Sequence, residues 1–160
     1  MQHKNMERWT EPVLLSREEC LRNKERLTAF YDSNMQLCSY MDGFSHRDAE
    51  LKIEGMTEHV SNGTAMVFGM FDGDELIGFV WAYEHFFRTE KRVYVNEIHV
   101  DKRYRHRGIG RRLLTAVEDM ARKLGYGAIY LHAEGNNEGA IRLYESEGFE
   151  KERIQLRKGL

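Results

Sequence analysis

The chain has 160 residues, of which 41% are hydrophobic and 31% are charged, and its formal net charge is −2. This length and balance predict one soluble folded domain and exclude a disordered or fibrous protein. The small net charge gives no overall preference for nucleic acids or anionic membranes, and no apolar run approaches the roughly 20 residues that a membrane-spanning helix needs.

The amino-terminal segment and the cysteines predict a cytoplasmic location. Met1–Thr10 is polar and of mixed charge, without the apolar stretch of a signal peptide. The two cysteines, Cys20 and Cys38, form no C-x-x-C pair, which favours a reducing compartment over a disulfide framework. The seven histidines show no paired-ligand spacing, so no metal site is predicted.

The first part of the chain predicts one short strand and two helices. Pro12–Leu15 is the strand. Ser16 and Glu19 have the spacing of a capping box, which predicts a helix from about Arg17 to Tyr31. A second helix is predicted from about Arg47 to His59.

The middle of the chain predicts strands. Thr64–Phe71 and Glu75–Phe86 are apolar and flank the turn signal Asp72-Gly73-Asp74, so we expect a hairpin. After a polar loop, Arg92–Val100 predicts a further strand.

The last part alternates between helix and strand. A helix is predicted from Gly108 or Gly110 to Leu124, followed by a strand at Ala128–Ala133. A short helix at Asn137–Glu147 and a terminal strand from Gly148 to about Arg157 complete the order. This order predicts a mixed α/β (α+β) fold, in which helices cover both faces of one sheet.

The segment Arg105–Arg112 is a glycine-rich turn that leads into a helix. Gly108 and Gly110 allow a sharp bend and a close approach of a ligand to backbone N–H groups. A helix N-terminus binds phosphate well, and the arginines of the segment add positive charge there. The alternative is a tight turn whose arginines only meet solvent. The pattern is neither a Walker loop nor a dinucleotide fingerprint.

Two motifs carry a resemblance to a known family. Arg105–Gly110 reads R-H-R-G-I-G and resembles the Q/R-x-x-G-x-G/A signature of the GCN5-related N-acetyltransferases (GNAT). Asn137–Phe149 resembles the N-x-x-A-x-x-L-Y-x-x-x-G-F segment of the same family. The resemblance covers about Thr64–Leu156. It implies a mostly antiparallel mixed sheet, with helices on both faces and a splayed central strand pair.

The resemblance also implies one acetyltransferase domain over residues 1–160 that uses acetyl-CoA as co-substrate, without a metal. Residues 1–62 would form the acceptor side, and residues 63–157 the acetyl-CoA-binding core. Strand backbone would pair with the pantetheine, and the amides of the glycine-rich turn would hold the pyrophosphate. The implied cofactor-binding residues are Ile98, His99, Val100, Arg105, His106, Arg107, Gly108, Ile109, Gly110, Arg111, Asn137 and Tyr144.

The implied reaction is direct attack of an amine on a thioester, which needs a base and a proton donor. Tyr144 matches the tyrosine that the family uses as donor, although a core tyrosine would fit the pattern too. Glu97 is the first candidate for the base and His99 the second, with Glu84 and His85 as further candidates. Alternatively, Glu97 pairs with an arginine and His99 is ordinary packing.

These observations predict an N-acetyltransferase that acts on a primary amine of a small molecule or peptide. The alternative is a non-catalytic acyl-CoA-binding or regulatory module. Lys102–Arg112 contains six Lys or Arg residues among eleven, but the acidic remainder argues against nucleic acid as a partner. No membrane partner is expected, and homodimers are common in such families. An aromatic cluster could line the acceptor pocket or pack in the core; its members are Phe30, Tyr31, Tyr40, Met41 and Phe44.

Overall fold

A computed structural model describes residues 9–38 and 43–160. In this part of the chain, five strands form one sheet with neighbours in chain order. The strands are β1 (Val13–Leu14), β2 (Ala65–Asp72), β3 (Glu75–Phe87), β4 (Glu90–Val100) and β5 (Ala128–Leu131). The helices are α1 (Arg17–Arg22), α2 (Lys24–Met35), α3 (His46–Ser61), α4 (Ile109–Lys123) and α5 (Glu138–Ser146), with a 3₁₀ turn at Lys102–Tyr104.

The predicted first helix is divided in two at Asn23. The capping box is present, because the Ser16 hydroxyl accepts from the Glu19 amide and the Glu19 carboxylate accepts from the Ser16 amide. The prediction of one continuous helix to Tyr31 is wrong. The Asn23 side chain donates to the Glu19 carbonyl at 2.9 Å, and such local bonds compete with the helix ladder.

The sheet buries both of its faces, which confirms the predicted helices on either side. Along β3, Phe79 and Trp81 pack with the core of α1–α3, whereas Val80 and Ala82 pack with the core under α4. Since side chains alternate along a strand, the nearly continuous apolar run of β3 supplies two cores at once.

The sheet splays apart between β4 and β5, as the predicted fold class requires. The two strands pair in parallel only where Arg92–Val95 meets Ala128–Leu131. β4 continues to Val100 while β5 has ended, so the edge of β4 that faces β5 is open beyond Val95.

A β-bulge lies where this opening begins. Val95 is opposite Ala82 and Glu97 is opposite Trp81, so Asn96 is the extra residue in β4. Because of the extra residue, the alternation of side chains between the two faces of β4 shifts by one position after Asn96. Glu97 therefore lies on the same face as Trp81, which is the face covered by α1–α3.

The predicted terminal strand from Gly148 to about Arg157 is wrong, because residues 149–160 form no strand or helix. Its apolar residues find no surface to cover: Ile154 is 77% exposed and Leu156 is 89% exposed. The segment is held by charges instead, with Arg92 donating to Glu152 at 2.8 Å and Arg153 lying over the Phe87 ring.

A pair of glycine substitutions tests the packing of β3 on β4 and α4. A Cβ on Gly78 would lie 3.0 Å from the His99 backbone oxygen and 3.3 Å from Ile109 Cγ2. We therefore expect Gly78→Ala to lower the free energy of unfolding by about 1–3 kcal/mol, measured by urea denaturation.

The control is Gly55→Ala in the interior of α3, where a Cβ would meet nothing within 4 Å. It should raise stability by about 0.5–1 kcal/mol, since alanine is the better helix former. An unchanged urea midpoint for Gly78→Ala would contradict the close packing.

Candidate active site

The loop from β4 to α4 is fixed at Asp101. Its carboxylate accepts from the Arg103 amide at 2.8 Å and also binds the Arg103 and Arg26 guanidiniums. Hydrogen bonds from Arg103, outweighing the opposing effect of burial, hold the pKa of Asp101 far below its usual range. These contacts hold Asp101 in place directly before the glycine-rich turn.

The turn itself uses two left-handed residues. His106 has φ of +60° and Gly108 has φ of +79°, a region that L side chains rarely adopt. Gly108 precedes the first residue of α4, and nothing lies within 4 Å of the Cβ position it lacks. The first amides of α4 have no partner within the helix.

The second glycine of the turn has a different role from the first. A Cβ on Gly110 would lie 3.1 Å from Leu143 Cδ2 and 3.8 Å from Val100 Cγ2. Gly110 thus lets α5 pack against the start of α4. The sequence interpretation, in which both glycines serve ligand approach, missed this contact.

The arginines around the turn are held by other residues. Arg111 Nε lies 2.6 Å from a Glu147 carboxylate oxygen, and Arg105 Nε donates to the Val100 carbonyl at 3.0 Å. The Arg107 guanidinium lies over the Trp9 and Tyr104 rings at 5.8 and 5.9 Å. Positive charge is therefore positioned on several sides of the helix N-terminus.

The ladder between β3 and β4 decides which backbone groups face the gap. The Asp101 amide donates to the Ile77 carbonyl at 2.9 Å. In an antiparallel ladder the direction alternates, so His99 also pairs with β3, whereas Ile98 and Val100 direct their N–H and C=O groups away from it. The Ile98 carbonyl accepts from Asn34 Nδ2 at 3.0 Å.

Glu97 lies beside this open edge. Burial raises its pKa to about 7, although the hydrogen bond from Asn34 works in the opposite direction. Its carboxylate accepts from Asn34 Nδ2, so its partner is an amide and not the arginine of the alternative interpretation. Asn34 lies on α2, 63 positions from Glu97, and no sequence signal pointed to it.

His99 lies on the same face of β4 as Glu97, but in the core. It is 6% exposed, its ring stacks on Phe30 with centroids 4.5 Å apart, and its Nδ1 lies 2.7 Å from Asn34 Oδ1. Burial, followed by the nearby Arg105, lowers the pKa of His99 to about 4. The imidazole is therefore neutral at physiological pH.

Tyr144 lies on α5, with its ring edge towards Phe149 at 5.8 Å between centroids. Burial, together with the negative charge of Glu97, raises the pKa of Tyr144 to about 12. The phenol therefore stays protonated at neutral pH and is close enough to Glu97 to sense its charge. Asn137 caps α5, since its Oδ1 accepts from the Ala140 amide at 3.2 Å.

The further base candidates lie elsewhere. Glu84 binds Lys91 at 2.6 Å and the Tyr126 hydroxyl. The ring of His85 lies beside Tyr130, with 2.6 Å between Nδ1 and the phenol oxygen.

A row of tyrosines crosses three strands on the face of Glu97. Tyr83 is opposite Tyr94, and Tyr94 is opposite Tyr130, with ring centroids 5.3 and 4.9 Å apart. The sequence interpretation did not identify this row. Within the cluster it did identify, Phe30 and Tyr31 are buried in the core, and Tyr40 and Met41 lie outside the described residues.

Neither a membrane-spanning helix nor a metal-binding cluster is found among residues 9–38 and 43–160. No helix there is long and apolar enough to cross a bilayer. No group of three His, Cys, Asp or Glu side chains there could hold a metal ion.

The chain is similar in sequence to known acetyltransferases. A model of the acetyltransferase (GNAT) family matches residues 26–149. The N-alpha-acetyltransferase RimI of Mycobacterium tuberculosis is 40% identical over 91 residues, which are 56% of this chain and 54% of that protein. A mycothiol acetyltransferase of Rhodococcus jostii is 36% identical over 94 residues, 56% of this chain and 30% of that protein. The chain spans about half the length, or less, of these relatives.

The fold matches solved structures over nearly the whole chain. An aminoglycoside acetyltransferase from an uncultured soil metagenomic sample, in complex with trehalose, superposes with a TM-score of 0.74. The match covers 97% of this chain and 98% of that one at 17% sequence identity. It supports the fold alone.

The raised pKa of Glu97 predicts a dependence of stability on pH. The folded-state pKa of about 7 exceeds the ordinary value of 4.5, so the folded state keeps a proton that the unfolded state has lost. Stability therefore falls as pH rises from about 4.5 through 7, by about 2–3 kcal/mol. We expect Glu97→Gln to abolish this loss in urea unfolding at pH 5 and pH 8.

The matched control is Glu138→Gln at the start of α5, where the side chain is 79% exposed. It should keep the pH dependence of the wild-type protein. Equal pH dependence in wild-type and Glu97→Gln proteins would show that Glu97 titrates normally.

Proposed function

The chain belongs to the acetyltransferase (GNAT) family, and from this premise we propose that it transfers the acetyl group of acetyl-CoA to a primary amine of a small molecule or peptide. The observation that carries the proposal is the open edge of β4, which runs from Glu97 towards the turn before α4, while Tyr144 on α5 lies close enough to Glu97 to sense its charge. The edge, the turn and the two side chains supply binding, orientation and proton transfer in one place.

The co-substrate is held by main-chain groups. The first amides of α4, with Gly108 to Arg111, bind the diphosphate, and the nearby arginines compensate its charge. The amides of Ile98 and Val100, whose carbonyls already accept from Asn34 and Arg105, donate to the pantetheine as they would to an added strand. The gap left by β5 provides room for that pairing.

The chemistry needs three proton transfers: from the acceptor ammonium, to the departing thiolate, and from the nitrogen of the new amide. With a pKa of about 7, Glu97 is roughly half ionised at neutral pH and can accept a proton from the ammonium of the acceptor. The free amine then attacks the thioester carbonyl, and the N–C bond forms. The Ile98 amide, directed into the gap, stabilises the negative oxygen. The C–S bond breaks, Tyr144 gives its proton to the departing thiolate, and the nitrogen of the new amide releases its second proton, which restores the Tyr144 phenol.

The class of acceptor rests on the relatives. The names of the two matched enzymes describe an N-alpha-acetyltransferase and a mycothiol acetyltransferase, and a structural neighbour is named for aminoglycosides. All three names indicate amine acceptors, of peptide and small-molecule type. We therefore propose an amine as the acceptor, and the panel described below contains both peptides and small-molecule amines.

Binding of CoA is tested by two substitutions at Gly108. Asn and Asp are nearly the same size and both tolerate a positive φ, but only Asp adds a negative charge beside the diphosphate. We expect Gly108→Asp to weaken CoA binding at least about tenfold more than Gly108→Asn, by isothermal titration calorimetry. Equal affinities would remove the turn from the binding site, and no heat with the wild-type protein would reject the function.

Proton donation is tested by Tyr144→Phe, assayed as CoA release with a panel of polyamines, aminoglycosides, amino acids and peptides. Loss of a general acid lowers kcat by about 100-fold or more, while CoA affinity stays near that of the wild type. Tyr126→Phe is the control, because that hydroxyl binds Glu84 away from the gap. Wild-type kcat in Tyr144→Phe would exclude the donor role, and CoA binding without release for any amine would indicate a non-catalytic module.

A further inference from the structure

The Asn34 side chain joins three groups at the open edge of β4. Its Nδ2 donates to the Glu97 carboxylate and, at 3.0 Å, to the Ile98 carbonyl. Its Oδ1 lies 2.7 Å from His99 Nδ1. Asn34 is in the last turn of α2, so a helix from the amino-terminal part of the chain reaches three consecutive residues of β4.

Only one orientation of the Asn34 amide satisfies these contacts. The Ile98 carbonyl can only accept a hydrogen bond, and an ionised carboxylate can only accept as well. The NH₂ group must therefore face Glu97 and Ile98, which leaves the amide oxygen facing His99. That oxygen needs a donor, so His99 carries its proton on Nδ1.

The state of His99 agrees with this assignment. The ring is buried and stacked on Phe30, and burial lowers its pKa to about 4. A neutral imidazole has one N–H, and the contact with Asn34 places it on Nδ1. His99 thereby locks the amide against rotation, and the locked amide directs its two N–H groups at the edge of β4.

The groups that face Glu97 from the surrounding elements are phenols. Tyr31 on α2, Tyr94 on β4 and Tyr144 on α5 all interact with its charge, and each has a pKa raised to about 12. Neutral phenols compensate a carboxylate charge weakly. Burial disfavours the ionised form of Glu97, and the Asn34 amide favours it.

We propose that Asn34 is the positioning residue of the Glu97 base, holding its carboxylate at the open edge of β4 through an amide that His99 locks in one orientation. This inference rests on the proposed function for the role of Glu97 as base. The interaction itself does not depend on that function, so it can be measured separately.

The direct test is the titration of the Glu97 carboxyl by NMR in protein labelled with ¹³C at glutamate side chains. The resonance is assigned by its absence in Glu97→Gln. Asn34→Ala removes the donor, and Asn34→Asp replaces it with a second carboxylate while keeping an acceptor for His99. We expect the midpoint to move upward by about one pH unit in Asn34→Ala and further in Asn34→Asp, where the two carboxyl groups titrate as a pair.

Asn23→Ala is the matched control. This asparagine precedes the first residue of α2, at the opposite end of the helix from Asn34, and its Nδ2 donates to the Glu19 carbonyl. The Glu97 midpoint should be the same as in the wild-type protein. A cooperative thermal unfolding transition shows which variants fold. If Asn34→Asp does not fold, the titration of Glu97 in Asn34→Ala alone decides the test.

The activity test uses the same variants with an accepted amine. An upward move of one pH unit lowers the ionised fraction of Glu97 at pH 7 from about half to about a tenth, so kcat/KM falls about fivefold there and recovers at pH 9. A merely structural role for Asn34 would lower kcat/KM equally at all pH values. That result, or an unchanged Glu97 midpoint in both Asn34 variants, would overturn the inference.

The two proposals can fail independently. If no amine releases CoA from the wild-type protein, the proposed function fails while the NMR midpoint still decides the role of Asn34. If turnover is found and the midpoint does not move, the function stands and the inference about Asn34 is wrong.

Discussion

The rest of the site depends on one constraint, the early end of β5. Because β5 stops at Leu131, the last third of β4 has backbone groups with no strand beside them. Unpaired backbone groups are costly when buried, so they need partners. The chain supplies donors for two carbonyls, from Asn34 to Ile98 and from Arg105 to Val100. The amides of the same residues are left directed into the gap.

The chemistry of the site follows from its electrostatics. The carboxyl of Glu97 and the phenol of Tyr144 have raised pKa values for the same first reason, which is burial. Because both pKa values are raised, the Glu97 carboxyl exchanges its proton near neutral pH and the Tyr144 phenol keeps its proton. A base and a donor with distinct states can therefore coexist at one pH without a metal ion in the proposed reaction.

Local signals in the sequence were sufficient for much of the fold. The Ser16–Glu19 capping box and the turn between β2 and β3 depend on residues a few positions apart, and both formed where predicted, as did helix α4. The break at Asn23 was missed because an asparagine is compatible with a helix interior as well as with a cap. The prediction of a terminal strand was wrong because apolar residues in the sequence do not reveal whether the folded core has a free surface against which they can pack.

The site was less predictable, because its contacts are long-range. The motif residues placed the turn at the start of α4 and Tyr144 on α5, and the roles implied for them stay predictions. The bulge at Asn96 carries no glycine or proline that would mark it, although it decides the face on which Glu97 lies. Asn34 could not be found at all, since only folding brings α2 onto β4.

The contact of Gly110 with Leu143 couples the two sequence motifs through packing. Tyr144 follows Leu143 directly on α5, so a side chain wider than glycine at position 110 would press on the turn of α5 that holds Tyr144. A wider residue at position 110 therefore requires a narrower residue at position 143 if the Tyr144 phenol is to keep its place.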